Sequence, residues 1–157
     1  MPTMQRTTRT GLALLATTGL ALTAPALAAT PKPKTYTIMM SAEEYVPHGA
    51  ATKRVTKKDS NRDPVVTIRS GDSLKLVWPE IGDTHDMAYA KGGKIVWQTD
   101  NFASTAKITI GPKSKNRDIN GKSLKKVISK PGTYKLYCTF HSGTMKLKLI
   151  VKKASKK

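Results

Sequence analysis

Apolar and polar residues alternate along much of this chain, and that alternation restricts it to β structure. Successive side chains of a strand point to opposite faces of a sheet, so an alternating run predicts a strand with one buried face. Four runs show the pattern clearly, at residues 73–78, 106–110, 133–138 and 145–151. Their apolar positions are Leu74, Leu76, Trp78, Ala106, Ile108, Ile110, Tyr134, Leu136, Cys138, Met145, Leu147, Leu149 and Val151. The dominant period is two residues rather than the 3.6 of a helix, and the chain is predicted to be all-β.

Shorter strands are predicted between turn signals. They cover residues 35–40, 65–69, 85–90 and 94–97, and glycine- or proline-containing turns at 70–72, 92–93 and 130–132 separate the strands. About eight short strands in one chain predict a β-sandwich or barrel. Hydrophobic residues make up 38% of the sequence, enough for the core of a single domain.

Two polar stretches interrupt the alternation, at residues 41–64 and 111–129. Both are rich in Lys, Arg, Ser and Asn, and both are interpreted as long surface loops. Residues 41–45 could form one helical turn in the first loop. In the second, Leu124, Val127 and Ile128 are expected to pack on the core.

The amino terminus has the three parts of a secretory signal. Arg6 and Arg9 precede a charge-free apolar run at 11–24, and Ala26-Leu27-Ala28 fits a small-x-small cleavage site. We predict a cleaved signal at 1–28, a stiff leader at 29–34, one domain at 35–153 and a basic tail at 154–157. The apolar run is too short for a comfortable membrane span. The protein is therefore expected to be exported to the periplasm, the outside of the cell or the cell envelope, without a transmembrane segment.

The charge is strongly positive, with 28 Lys and Arg residues against 10 Asp and Glu, a formal net charge of +18. Removing the two arginines of the signal leaves +16. Such a charge favours acidic protein partners or anionic envelope polymers. Export and the lack of a stacking-aromatic motif argue against dedicated nucleic-acid binding.

One cysteine limits the chemistry available to the chain. Cys138 cannot form an intramolecular disulfide, a four-cysteine zinc site or an iron–sulfur cluster. His141 and Met145 follow it closely, however, so a thiol, an imidazole and a thioether lie within eight residues between two predicted strands. His85, at the start of another predicted strand, offers a second imidazole. Two His, one Cys and a weak axial Met form the trigonal donor set of blue-copper sites.

With these residues the sequence resembles the cupredoxins, the family of plastocyanin and azurin. The resemblance spans about residues 35–152 and rests on the segments 66–72, 84–86, 131–134 and 137–141 together with Met145. It implies a Greek-key β-sandwich of about eight strands that holds one copper ion, Cu(I) or Cu(II), with His85, Cys138, His141 and Met145 as ligands.

The resemblance also assigns roles to neighbouring residues. Asp86 and Thr139 are expected to support the ligands, and Tyr137, Phe140 and Met87 to lie on an electron path or a docking surface. Asp86 stands where many relatives have Asn; it can accept hydrogen bonds between the ligand loops but cannot donate an amide.

The function expected from these observations is single-electron transfer between redox proteins outside the cytoplasm, by a monomer that is not an enzyme. A different class of function is a binding module that stores or delivers copper or belongs to an envelope complex. A thiol nucleophile at Cys138 is disfavoured because that residue occupies an inward strand position among other soft donors. His48 is expected to be an ordinary surface residue.

Overall fold

A computed structural model describes residues 31–58, 63–79, 84–101 and 107–154. The predicted signal at 1–28, Ala106 and the last three residues of the tail lie outside this part of the chain. Ten strands are present in the described residues. They are β1 (Thr35–Ser41), β2 (Glu44–His48), β3 (Val55–Lys58), β4 (Pro64–Arg69), β5 (Ser73–Val77), β6 (Ala88–Lys91), β7 (Lys94–Gln98), β8 (Lys107–Ile110), β9 (Gly132–Tyr137) and β10 (Lys146–Lys152).

The strands form two sheets, as the prediction of an all-β sandwich requires. The smaller sheet has the order β2-β1-β5-β8, and the larger has the order β3-β4-β10-β9-β6-β7. Two neighbouring pairs are parallel, β1 with β5 and β4 with β10, and the others are antiparallel. β4 and β5 are consecutive in sequence but belong to different sheets, so the turn at 70–72 carries the chain from one sheet to the other.

The hydrophobic core contains apolar side chains from both sheets. Ile38 and Leu76 come from the smaller sheet and Val66 and Leu149 from the larger, and all four are fully buried within one cluster. In β10 the odd positions 147, 149 and 151 are buried, whereas 146, 148 and 150 are half-buried and 152 is exposed, as the alternation predicts. Burial of one such side chain contributes about 1.5–3 kcal/mol, so the alternating runs hold the two sheets together.

The prediction of a long loop with a helical turn at 41–64 was wrong. Residues 44–48 form β2, which pairs antiparallel with β1, and a 3₁₀ helix at Gly49–Arg54 leads into β3. In β2 only Tyr45 is fully buried, and Pro47 interrupts the run, so no alternation was visible. Proline is tolerated there because β2 is an edge strand. These additional strands account for ten strands in place of the expected eight.

The prediction of a loop at 111–129 is confirmed in outline. Its regular structure is one 3₁₀ turn at Leu124–Lys126 and an isolated bridge between Arg117 and Ser123. Leu124 and Ile128 are fully buried and Val127 packs against the core, as expected. The loop is therefore held in place by its apolar residues.

Candidate metal centre

A tight connection joins β9 to β10 and carries three of the predicted ligands. Cys138 directly follows β9, and Met145 directly precedes β10. The amide of Met145 donates to the carbonyl of His141 (2.8 Å), and the amide of Cys138 donates to the carbonyl of Met145 (3.0 Å). Thr144 also donates to the His141 carbonyl (3.1 Å). These bonds fold the connection back on itself and bring His141 next to Cys138.

His85 approaches the same place from the other side. It lies three residues before β6, and β6 pairs with β9 so that Ala88 is opposite Tyr137. The prediction that a strand begins at residue 85 was therefore wrong: β6 begins at Ala88. The segment before it is fixed instead by Thr99, whose hydroxyl accepts a hydrogen bond from the amide of Met87 (2.8 Å) and whose own amide donates to the Met87 carbonyl (2.9 Å).

The structure brings His85, Cys138 and His141 together as one cluster. One donor atom from each residue lies within 4.8 Å of the other two. Sγ of Cys138 is 3.7 Å from Nδ1 of His141, and the ring centroids of the two histidines are 5.0 Å apart. Cys138 and His85 are buried, whereas His141 is half-buried. The cluster is thus closed on the protein side and reaches solvent through His141.

The spacing of these atoms fits a bound metal ion. Metal–sulfur and metal–nitrogen bonds of about 2.3 and 2.0 Å, at tetrahedral or trigonal angles, hold the two donors about 3.5–3.7 Å apart. The measured separation of 3.7 Å between Cys138 and His141 agrees with that value. A thiolate with two imidazoles is a soft to borderline set, which suits copper and does not suit calcium or magnesium. The cluster is consistent with a type 1 copper site.

Protonation of the thiol opposes metal binding. Burial raises the pKa of Cys138, while hydrogen bonds from the backbone of Asp86, His141 and Phe140 lower it in part. A metal ion binds the thiolate and must displace this proton. The backbone groups that favour the thiolate are therefore part of the site.

Met145 is fully buried directly beside these residues. Its backbone bonds to both Cys138 and His141 fix its position in the connection. It also lies next to Leu147 at the start of the inward face of β10. Its role as the axial ligand stays a prediction.

Asp86 and Thr139 connect the two ligand-bearing segments, each residue lying immediately after a ligand. The amide of Thr139 donates to Oδ1 of Asp86 (2.7 Å), and its hydroxyl donates to Oδ2 (2.5 Å). Asp86 has two further partners that the sequence did not indicate. Gln98 donates to Oδ2 (2.6 Å), and the hydroxyl of Tyr45 donates to the backbone carbonyl (2.5 Å). No spacing rule relates these distant residues to Asp86, so only the fold reveals them.

Tyr45 is more deeply buried than Gln98, the other of these two partners of Asp86. Its side chain is buried, and burial raises the pKa of its phenol well above the usual value, with smaller contributions from Cys138 and Asp86. It therefore stays protonated and donates its hydrogen bond throughout the ordinary pH range.

The three residues predicted to serve electron passage or docking differ in exposure. Phe140 is 50% exposed and lies next to His141, and Tyr137 is half-buried at the end of β9. Met87 is fully buried in the core cluster, so it does not belong to an exposed docking surface. His48 is exposed at the end of β2, as expected of a surface residue.

Comparisons with known proteins give the following results. No protein-family model matches the sequence, and no curated protein matches it. Among solved structures, amicyanin from Paracoccus versutus is similar at 18% identity with a TM-score of 0.46, over 83% of this chain and 86% of that one. An oxidised amicyanin mutant is similar at 13% identity and 0.45, over 84% and 88%.

A copper-containing nitrite reductase from Thermus scotoductus SA-01 is also similar, at 19% identity with a TM-score of 0.45. The similarity covers 83% of this chain but only 24% of the reductase chain, so this protein spans about a quarter of that enzyme's length. Within the described part of the chain, no helix has both the length and the apolar character needed to cross a membrane.

Proposed function

We propose that this protein binds one copper ion and carries single electrons between redox partners outside the cytoplasm. The observation that carries the proposal is the cluster of one thiol and two imidazoles, with donor atoms within 4.8 Å of one another, on the segments that precede β6 and follow β9. Three ligands from two segments that are tied together by hydrogen bonds make a site whose geometry is set before metal binds.

The proposed ligands differ in the kind of donor atom that each supplies. Cys138 supplies a thiolate, the strongest donor of the set, and His85 and His141 supply neutral imidazoles. Met145 would add a weak thioether donor as the fourth ligand. Bound copper supplies one-electron chemistry by alternating between Cu(I) and Cu(II). A rigid scaffold with a mixed donor set accommodates both states with little movement of the ligands.

The burial of the proposed ligands favours an electron carrier over an enzyme. Cys138 is fully buried, so its sulfur is not presented to a substrate as a nucleophile must be. His141 is half-buried and lies beside the half-exposed Phe140. This end of the molecule is therefore the shortest route for electrons between the site and the protein surface. An apolar contact around His141 allows close but short-lived docking.

The partners proposed for this carrier are redox proteins with acidic docking surfaces. Without the predicted signal the protein carries +16, which raises the rate of encounter with acidic proteins. Anionic envelope polymers are a second class of partner for the same charge. The signal-like amino terminus supports the proposal of export.

Redox cycling distinguishes electron transfer from copper delivery. The copper-loaded protein is oxidised and reduced repeatedly in the presence of a Cu(I) chelator of moderate affinity. A carrier keeps its copper over many cycles, and the chelator stays unloaded. Transfer of most of the copper to the chelator after the first reduction would contradict the carrier and favour a storage or delivery protein.

A further inference from the structure

Gln98 contacts the residues that support the metal cluster although it belongs to neither ligand-bearing segment. It is the last residue of β7, the outer strand of the larger sheet. Its side-chain nitrogen is 2.6 Å from Oδ2 of Asp86 and 3.3 Å from the hydroxyl oxygen of Thr139. An edge strand thus reaches the junction between the His85 and Cys138 segments.

Asp86 needs donors because it is a fully buried carboxylate. None of the described residues forms an ion pair with it, so hydrogen bonds must stabilise its charge. Thr139 contributes two donors and Gln98 contributes the third. Hydrogen bonds to an ionised carboxylate are about twice as strong as those between neutral groups. Removing one of these three hydrogen-bond donors therefore leaves the buried Asp86 carboxylate with too few donors to stabilise it.

The three side chains form a closed ring of hydrogen bonds. The Thr139 hydroxyl donates to Asp86, and the Gln98 amide donates to both Asp86 and the Thr139 oxygen. Asp86 can only accept, so it cannot supply the amide donor that an asparagine at the same position would have. Gln98 supplies that donor from a different strand, and the ring links the residue after His85 to the residue after Cys138.

We propose that Gln98 is a positioning residue for the metal centre, supplying the amide donor that Asp86 lacks and so fixing the two ligand segments relative to each other. This inference rests on the proposed copper function for its spectroscopic consequence. Its structural consequence, the fixed junction between Asp86 and Thr139, exists in the metal-free protein as well.

Variants of the ring test the proposal. Gln98→Leu removes the donor at similar bulk, and Gln98→Glu places a second carboxylate against Asp86. The double variant Asp86→Asn/Gln98→Glu exchanges the amide and the carboxylate, which restores a donor–acceptor pair with the same total charge. Val96→Ala is the matched control, because Val96 lies two residues earlier in β7 and is 49% exposed.

Two readouts are measured for each variant. In the metal-free protein, the amide of Thr139 is expected to exchange with solvent about tenfold faster in Gln98→Leu, because its acceptor is no longer held in place. In the Cu(II)-loaded protein, we expect a shifted thiolate-to-copper absorption band. We also expect a lower reduction potential, since a less compensated carboxylate favours the more positive ion. The double variant should return both readouts towards the wild-type values.

Unchanged exchange at Thr139 and an unchanged band in Gln98→Leu would overturn the proposal, as would a double variant no closer to wild type than Gln98→Glu. Failure of the copper function has a different signature: the wild-type protein would take up no coloured copper, while the exchange measurement would still report on the ring. If Gln98→Leu loses its β structure, the same two readouts are compared between Gln98→Glu and the double variant, whose side chains keep the original length.

Discussion

Cys138, His85 and His141 differ in how much of their role is visible in the sequence. The spacing from Cys138 to His141 predicts a soft metal site between two strands, and the structure places the two donor atoms 3.7 Å apart. His85 lies 53 residues before Cys138, and the sequence showed only that a second imidazole was available there. The pairing of β6 with β9 brings it to the cluster. No sequence spacing or motif pointed to Gln98 and Tyr45, because their contacts with Asp86 depend on the order of the strands in the sheets.

Met145 should tune the site without being required for metal binding. A thioether is a soft donor that favours Cu(I), so the harder amide oxygen in Met145→Gln should lower the reduction potential. Met145→Leu removes the donor at similar bulk and should raise it. Voltammetry should therefore order the proteins as Gln, wild type and Leu from the lowest potential to the highest. Three equal potentials would show that Met145 is core packing alone.

At the scale of elements, side-chain alternation and turn signals predicted eight of the ten strands in the described residues and missed β2 and β3, which are edge strands. β5, β9 and β10 are buried on one face and were predicted to within about two residues. β2 has one buried residue and a proline, and β3 spans only four residues. Their structure depends on pairing with β1 and β4, which a local pattern does not contain.

Tyr45 connects β2 of the smaller sheet to the His85 segment. Tyr45→Phe removes the hydroxyl that donates to the buried carbonyl of Asp86. A buried acceptor that loses its donor costs about 1–3 kcal/mol, and the free energy of unfolding of the metal-free protein should fall by that amount. Denaturant unfolding measures it.

Tyr134→Phe is the control for this experiment. Its hydroxyl donates to the Lys130 carbonyl in an exposed bond of 2.9 Å, so its loss should change stability by less than about 0.5 kcal/mol. Equal losses in the two variants would contradict a special role for the Tyr45 bond.

At the scale of the whole molecule, the net charge of +16 that remains without the predicted signal should govern how quickly partners meet the protein. The rate of electron transfer with an acidic redox protein should fall as salt is added, because the Debye length shortens from about 30 Å at 0.01 M to about 8 Å at 0.15 M. Stopped-flow mixing measures this rate. A basic redox protein serves as the control and should show the opposite trend. If the electron-transfer rate does not depend on salt with either partner, the lysines do not steer association and serve only to keep the surface soluble.

The visible spectrum of the copper-loaded protein tests the central claim most directly. Metal-free wild type and Cys138→Ala are titrated with Cu(II) and followed by absorption. One equivalent of Cu(II) should give the wild type an intense visible thiolate-to-copper band, and the variant should stay almost colourless, because its thiolate donor is absent. A colourless wild type, or the same band in Cys138→Ala, would contradict a copper centre built on Cys138, His85 and His141.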